Sequence, residues 1–147
     1  MKVERIKHGT VIDHILPTKA FDVLRVLKLS QDRSMSILIN TNSQKGGKKD
    51  ILKFENLELT GEQANLVALI SPQATVNIIA DGKVVKKFNT EAPGVVRGIL
   101  TCSNPNCISN QNEPIVSEFR LSPDENHRYV CTYCERDIVD LAKYVRL

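Results

Sequence analysis

The chain has 147 residues, 41% hydrophobic and 25% charged, with a formal net charge of +3, which describes a folded chain of one domain or two small ones. Its longest apolar run is the stretch Leu66 to Ile70, far too short to span a bilayer, and Met1 to His8 lack the apolar stretch of a signal peptide. A membrane protein, a secreted disulfide scaffold and a large enzyme are excluded, and a cytoplasmic chain is expected. The charge divides unevenly: residues 1–94 carry 14 Lys or Arg against 10 Asp or Glu, whereas 95–147 carry 6 against 7 and hold all four cysteines.

Gly9 to Ile15 is β-branched between a glycine and a proline and predicts a strand. From Pro17 a helix fits, with Ala20, Val23, Leu24 and Leu27 on one apolar stripe. Ser36 to Asn40 predicts a short buried strand. Thr41 to Lys48 is a loop, and Asp50 to Phe54 is an antiparallel strand after it. Thr60, three residues before Gln63, has the spacing of a capping box opening a helix that Ser71-Pro72 ends. Asp81-Gly82 between two β-rich runs signals a tight hairpin. The order strand, helix, strand, strand, helix, hairpin resembles the split βαβ, ferredoxin-like plan: an antiparallel sheet with two helices. The expected class is therefore α+β, with this sandwich in residues 1–94, a linker at Glu91-Ala92-Pro93-Gly94 and a small, mainly β domain in 95–147.

Cys102 and Cys107 form a C-x4-C pair, and Cys131 and Cys134 a C-x2-C pair. Two such pairs supply the tetrahedral thiolate cage that Zn²⁺ prefers and leave no position for water or substrate. One structural Zn²⁺ per chain is the reading favoured over two disulfides, over a redox Cys131/Cys134 pair, and over substitution of one cysteine by His127. The metal-bearing half is acidic, and Phe119, Tyr129, Tyr133 and Tyr144 have no basic patch beside them. A nucleic-acid-binding zinc ribbon, the rival reading, lacks its electrostatic footprint. An interaction platform is expected.

In the first half, Lys45, Lys48, Lys49 and Lys53 cluster at one loop, and Lys83, Lys86 and Lys87 at the hairpin. Alternation puts Lys49, Ile51 and Lys53 on one face, opposite Leu52 and Phe54. A lysine beside Asp13 and His14 would make an anion pocket. Gly47-Lys48 suggests a P-loop, but Asn42 replaces its first glycine and Lys49 its Ser or Thr. With no HExxH or GxSxG motif, no catalytic centre assembles.

Gly9 to Ile15, Lys49-Asp50 with Lys53, Ser71 to Asn77, the Cys102–Cys107 knuckle followed by Ile108-Ser109, and Cys131-x-Tyr133-Cys134-Glu135 together resemble the regulatory chains of aspartate carbamoyltransferase, in collinear order from about Val3 onward. The resemblance implies a non-catalytic subunit of pyrimidine biosynthesis. It implies a first domain that binds CTP, UTP and ATP and pairs with its twin, and a zinc domain that docks on catalytic chains. Two catalytic trimers would assemble with three regulatory dimers, without nucleic acid or membrane. By the same resemblance Asp13 meets the ribose hydroxyls, His14 the phosphate side, and Lys53 both base and ribose. Lys87 holds the phosphates with help from Lys49. Val3, Glu4, Arg5 and Ile6 offer backbone to the base edge, joined by Asn77, Ile79, Gly82 and Val84. Cys102, Cys107, Cys131 and Cys134 hold the metal.

Overall fold

A computed structural model describes residues 6–29, 33–44, 46–111, 114–123, 128–138 and 140–146. The chain forms two compact units, residues 1–91 and 92–147, and the division falls within the stretch from Glu91 to Gly94.

The first unit contains β1 (Gly9–Ile15), α1 (Ala20–Leu27), β2 (Met35–Asn42), β3 (Lys48–Glu55), α2 (Gly61–Ile70), β4 (Thr75–Ala80) and β5 (Lys83–Asn89). Its sheet runs in the order β2-β3-β1-β4-β5, antiparallel throughout. This is the split βαβ arrangement with one strand added by the hairpin. Ile12, Ile15, Leu52, Phe54, Val76 and Ile78 bury one sheet face together with Ala20, Val23, Val26 and Leu27 of α1 and Ala64, Val67 and Ala68 of α2. Removing that much apolar surface from water is the main force holding the unit together.

The local signals act as the sequence reading requires at two places. Thr60 Oγ1 accepts from the Gln63 backbone N–H at 3.1 Å while Gln63 Oε1 accepts from the Thr60 N–H at 3.0 Å, closing the capping box of α2. Asp81 and Gly82 both have positive φ, 52° and 74°, so the hairpin turns through the mirror-image geometry that suits strand twist.

Three expectations need correction. The first helix begins at Ala20 and not at Pro17, because Thr18 takes a left-handed φ of 70°, which a right-handed helix does not admit. Val26, not Leu24, completes the buried stripe of α1. The strand around Ser36 to Asn40 is not buried: β2 is a sheet edge, its residues half-buried or exposed, since pairing on one side only leaves part of its surface to solvent.

Asp50 explains where α1 starts. This fully buried carboxylate in β3 accepts from the Ala20 N–H at 3.0 Å and from the Asn40 N–H at 2.8 Å. It thus satisfies a free donor at the helix N-terminus, where negative charge is favoured, and fixes the irregularity of β2 at Asn40, whose φ is 59°. Asp50→Ala leaves the buried Ala20 N–H without its partner and also removes the partner of the more exposed Asn40 N–H, and is expected to destabilise the first unit by about 1–3 kcal/mol. Urea unfolding of the variant measures the loss.

The second unit contains β6 (Val95–Arg97), β7 (Glu118–Leu121), β8 (Tyr129–Cys131) and β9 (Asp137–Ile138), neighbours in that order and all antiparallel. Short 3-10 turns occupy Ile108–Asn110 and Leu141–Tyr144. Val96, Leu100, Phe119, Tyr129, Ile138 and Val145 make a small core. Burial pushes the Tyr129 phenol up to about 12, and its hydroxyl donates to the Pro93 carbonyl at 2.6 Å. Among the described residues, no helix is long and apolar enough to cross a membrane.

Candidate functional sites: a four-sulfur centre and a cationic cleft

The four cysteines converge. β8 ends on Cys131, whose N–H donates to the Arg136 carbonyl at 2.8 Å, while the Glu135 N–H returns to the Cys131 carbonyl at 2.9 Å. Glu135, at φ 64°, reverses the chain and turns Cys134 back beside Cys131. The other knuckle is closed by the Cys107 N–H on the Asn104 carbonyl at 3.0 Å and by Asn110. The Asn110 amide nitrogen donates to the carbonyls of Cys102 and Asn104 at 2.9 and 2.7 Å. Asn110 was not singled out in the sequence, because an asparagine three residues past a cysteine has no pattern of its own.

All four Sγ atoms lie within 4.8 Å of one another, with Cys102 to Cys134 at 3.5 Å and Cys107 to Cys131 at 3.7 Å. A tetrahedron with metal–sulfur bonds of ~2.3 Å has edges of ~3.8 Å, so the sulfurs fit one four-coordinate metal ion. Cys102, Cys107 and Cys131 are buried and Cys134 half-buried, which closes the cage to solvent ligands. Protonation follows from the crowding. Burial pushes the Cys102 thiol up to about 12, with Cys134 and Cys131 adding to the rise, and burial likewise raises Cys131. At Cys134 burial also works upward, but the Arg136 backbone N–H and the neighbouring thiols as donors bring it down to about 7. The cluster alone tolerates little thiolate; a divalent cation at its centre reverses that balance and its binding releases protons. His127, the alternative ligand weighed in the sequence, lies outside the described residues.

In the first unit, the sheet face away from the helices carries Lys53 and Lys87. Register places Lys53 opposite Val11, Val11 opposite Asn77, and Asn77 opposite Lys87. These four residues form one row across β3, β1, β4 and β5, with an ammonium group at each end, the end positions ~14 Å apart by strand spacing. A cleft of about 420 Å³ opens on this face, lined by Ile6, Val11, Asp13, Lys53, Asn77, Ile79, Gly82 and Val84. It gathers seven of the residues singled out in the sequence and adds Val11, which alternation along β1 places between Gly9 and Asp13 on that face.

Lys49 borders the cleft through an ion pair, its Nζ 2.9 Å from Asp13 Oδ1. His14 turns through φ 59°, and its Nδ1 lies 3.2 Å from Thr75 Oγ1. A bulge brings these residues together: Ile12 pairs with Leu52 but Ile15 with Asp50, so two residues of β1 face one of β3. Val3, Glu4 and Arg5 lie outside the described residues. A second groove of about 500 Å³, lined by Phe21, Leu24, Arg25, Leu29 and Met35, contains none of the expected site residues.

Burial works to raise the Asp13 carboxyl, but the hydrogen bond from Lys49 and that from the His14 backbone N–H outweigh it and hold Asp13 below the usual carboxylate range. A depressed folded-state value means that this ion pair contributes its full stability above the unfolded pKa of ~3.9, and that the contribution is lost as pH falls through the folded value. Acid unfolding of Asp13→Asn is expected to show a shallower limb below about pH 4 than the wild type, by a small margin because the pair is partly solvated.

Fold and sites define a two-part binding protein, with one unit built around a four-cysteine metal cage and the other around a sheet-face cleft. Residues 1–91 match the family described as aspartate carbamoyltransferase regulatory chain, allosteric domain, and residues 94–141 match the corresponding metal binding domain. A chain of that name from Methanococcus maripaludis strain C7 is 47% identical over 138 residues, 94% of this chain and 93% of the relative. Those of Methanocaldococcus jannaschii and Pyrococcus abyssi are 45% and 46% identical, each over 92% of this chain and 91% of the relative. The chain belongs to the aspartate carbamoyltransferase regulatory chain family. It is a regulatory and not a catalytic chain, with an allosteric domain and a metal-binding domain.

Proposed function

We propose that the first unit senses the nucleoside triphosphates CTP, UTP and ATP in the sheet-face cleft, and that the second unit, built on one Zn²⁺, passes the response to catalytic chains. The observation that carries this reading is the row Lys53–Val11–Asn77–Lys87, whose first three residues line the cleft and whose fourth neighbours Asn77 on the next strand. Cations at both ends and amide and apolar surface between them suit an elongated ligand with a charged tail and a neutral head better than a lone phosphate. Lys87 and His14 serve the phosphates, Asp13 accepts from ribose hydroxyls, and Lys53 reaches base and ribose. The base edge meets backbone near Ile6, Asn77, Ile79, Gly82 and Val84, and of Val3, Glu4 and Arg5.

Cys102, Cys107, Cys131 and Cys134 hold the zinc, which supplies structure and no chemistry. The chain pairs with its twin, and three such dimers join two catalytic trimers in the cytoplasm. The cleft alters a distant active site through linkage: a pyrimidine triphosphate binds the less active assembly more tightly and ATP the more active one, with a coupling of ~1–3 kcal/mol. Titration calorimetry of the assembled complex with each nucleotide tests the reading. Saturable binding with one site per regulatory chain is expected, and failure of all three nucleotides to bind overturns it.

A further inference from the structure

The lysines around the cleft are not equivalent: Lys53 lines it, and Lys49 and Lys87 do not. Among the described residues, Lys53 and Lys87 form no ion pair, whereas Lys49 Nζ lies 2.9 Å from Asp13 Oδ1 and 3.2 Å from Oδ2. The two side chains are 16% and 25% exposed, so the pair is largely shielded from solvent, with Asp13 among the residues that line the cleft. Asp13 Oδ1 also accepts from the His14 N–H at 2.7 Å. Two hydrogen bonds from within the protein, from the His14 N–H to Oδ1 and from Lys49 Nζ to Oδ2, fill two of the carboxylate's roughly four acceptor positions, and the rest remain for donors in the cleft. The Lys49 ammonium lies against both oxygens of one carboxylate.

We infer that Lys49 serves the nucleotide cleft as the bound counter-charge of Asp13, not as a phosphate ligand. The inference rests on the proposed nucleotide site and deepens it. A ligand with both hydroxyls and a polyanionic tail makes opposed demands: a carboxylate acceptor beside the sugar repels the phosphates. A neighbouring ammonium that cancels the carboxylate charge while leaving acceptor positions open meets both. Lys49 is thereby a positioning residue that acts through Asp13, and the attraction on the phosphates comes from Lys53 and Lys87.

The test is a double-mutant cycle on the full zinc-loaded chain, with CTP and inorganic tripolyphosphate as probes. Lys49→Gln keeps a hydrogen-bond donor for Asp13 but loses the charge, and is expected to weaken both probes about tenfold. The double variant D13N/K49Q, which deletes both charges of the pair together, is expected to bind tripolyphosphate within about threefold of the wild type, since the pair it removes carries no net charge. Lys49→Arg, which keeps the charge, is expected to bind both probes like the wild type and separates loss of charge from loss of folding. A double variant that binds tripolyphosphate as weakly as Lys49→Gln alone would mean direct phosphate contact, overturning the inference and leaving the nucleotide site in place. A wild-type chain that binds neither probe overturns the site and the inference together.

Discussion

Removing the metal with a chelator under reducing conditions is expected to unfold residues 92–147 while the sheet of the first unit persists. The second unit buries few large side chains, chiefly Leu100, Phe119, Tyr129 and Ile138 with two valines, and its strands are two to four residues long. Domains this small seldom bury enough apolar surface to offset the entropy of ordering the chain. The missing stability comes from joining the 102–107 and 131–134 knuckles, and structural zinc sites contribute ~10–16 kcal/mol at neutral pH.

Cys107→Ser is expected to act like the chelator. Its sulfur is buried against Cys131 and Ser109, and three remaining thiols bind the metal less tightly. Amide exchange measured by residue separates the two units. Protection that survives metal removal from Tyr129 to Ile138 would show that the small core suffices. Because the thiols must lose protons to bind, metal affinity is expected to fall steadily as the pH is lowered. If the second unit is the docking module, co-purification with catalytic chains is lost in the same variant.

Lys87→Ala is expected to weaken CTP binding by about 10- to 100-fold, the value of a charge-assisted hydrogen bond of ~1.5–3 kcal/mol. Stability should change by less than about 0.5 kcal/mol, since Lys87 is exposed on an edge strand and forms no ion pair among the described residues. Metal content should be unchanged. The contrast with Cys107→Ser is diagnostic: one variant loses ligand and keeps its fold, the other loses a fold and keeps its ligand. Equal CTP affinity in Lys87→Ala and wild type, measured by calorimetry, would remove Lys87 from the phosphate site.

Much of this organisation is legible in the sequence because short-range chemistry encodes it. A capping box needs only Thr60 and Gln63, a mirror-image turn only Asp81-Gly82, and a four-sulfur centre only four cysteines at close spacings. The position of β2 in the sheet was not legible, since a run such as Ile37-Leu38-Ile39 reads the same in a central strand and an edge strand; only pairing decides. The start of α1 depends on Asp50, thirty residues away in sequence from Ala20, and no local pattern announces a carboxylate that caps a helix from inside a strand. The Lys49–Asp13 pair was foreshadowed as a lysine near Asp13, but its engagement of both carboxylate oxygens depends on a bulge, and bulges leave little trace in composition.

That bulge has a consequence for how β1 can change. Ile12 and Ile15 both face the helices although three positions separate them, and β3 spans the same distance with only two, from Leu52 to Asp50. A β1 shortened by one residue could therefore run in ordinary register with both isoleucines still inside. The supernumerary residue at Asp13-His14 is redundant for packing, and what it contributes is the aim of two polar groups. Length variation there would spare the architecture and alter recognition, so the strand offers a place where responsiveness can be gained or lost independently of folding.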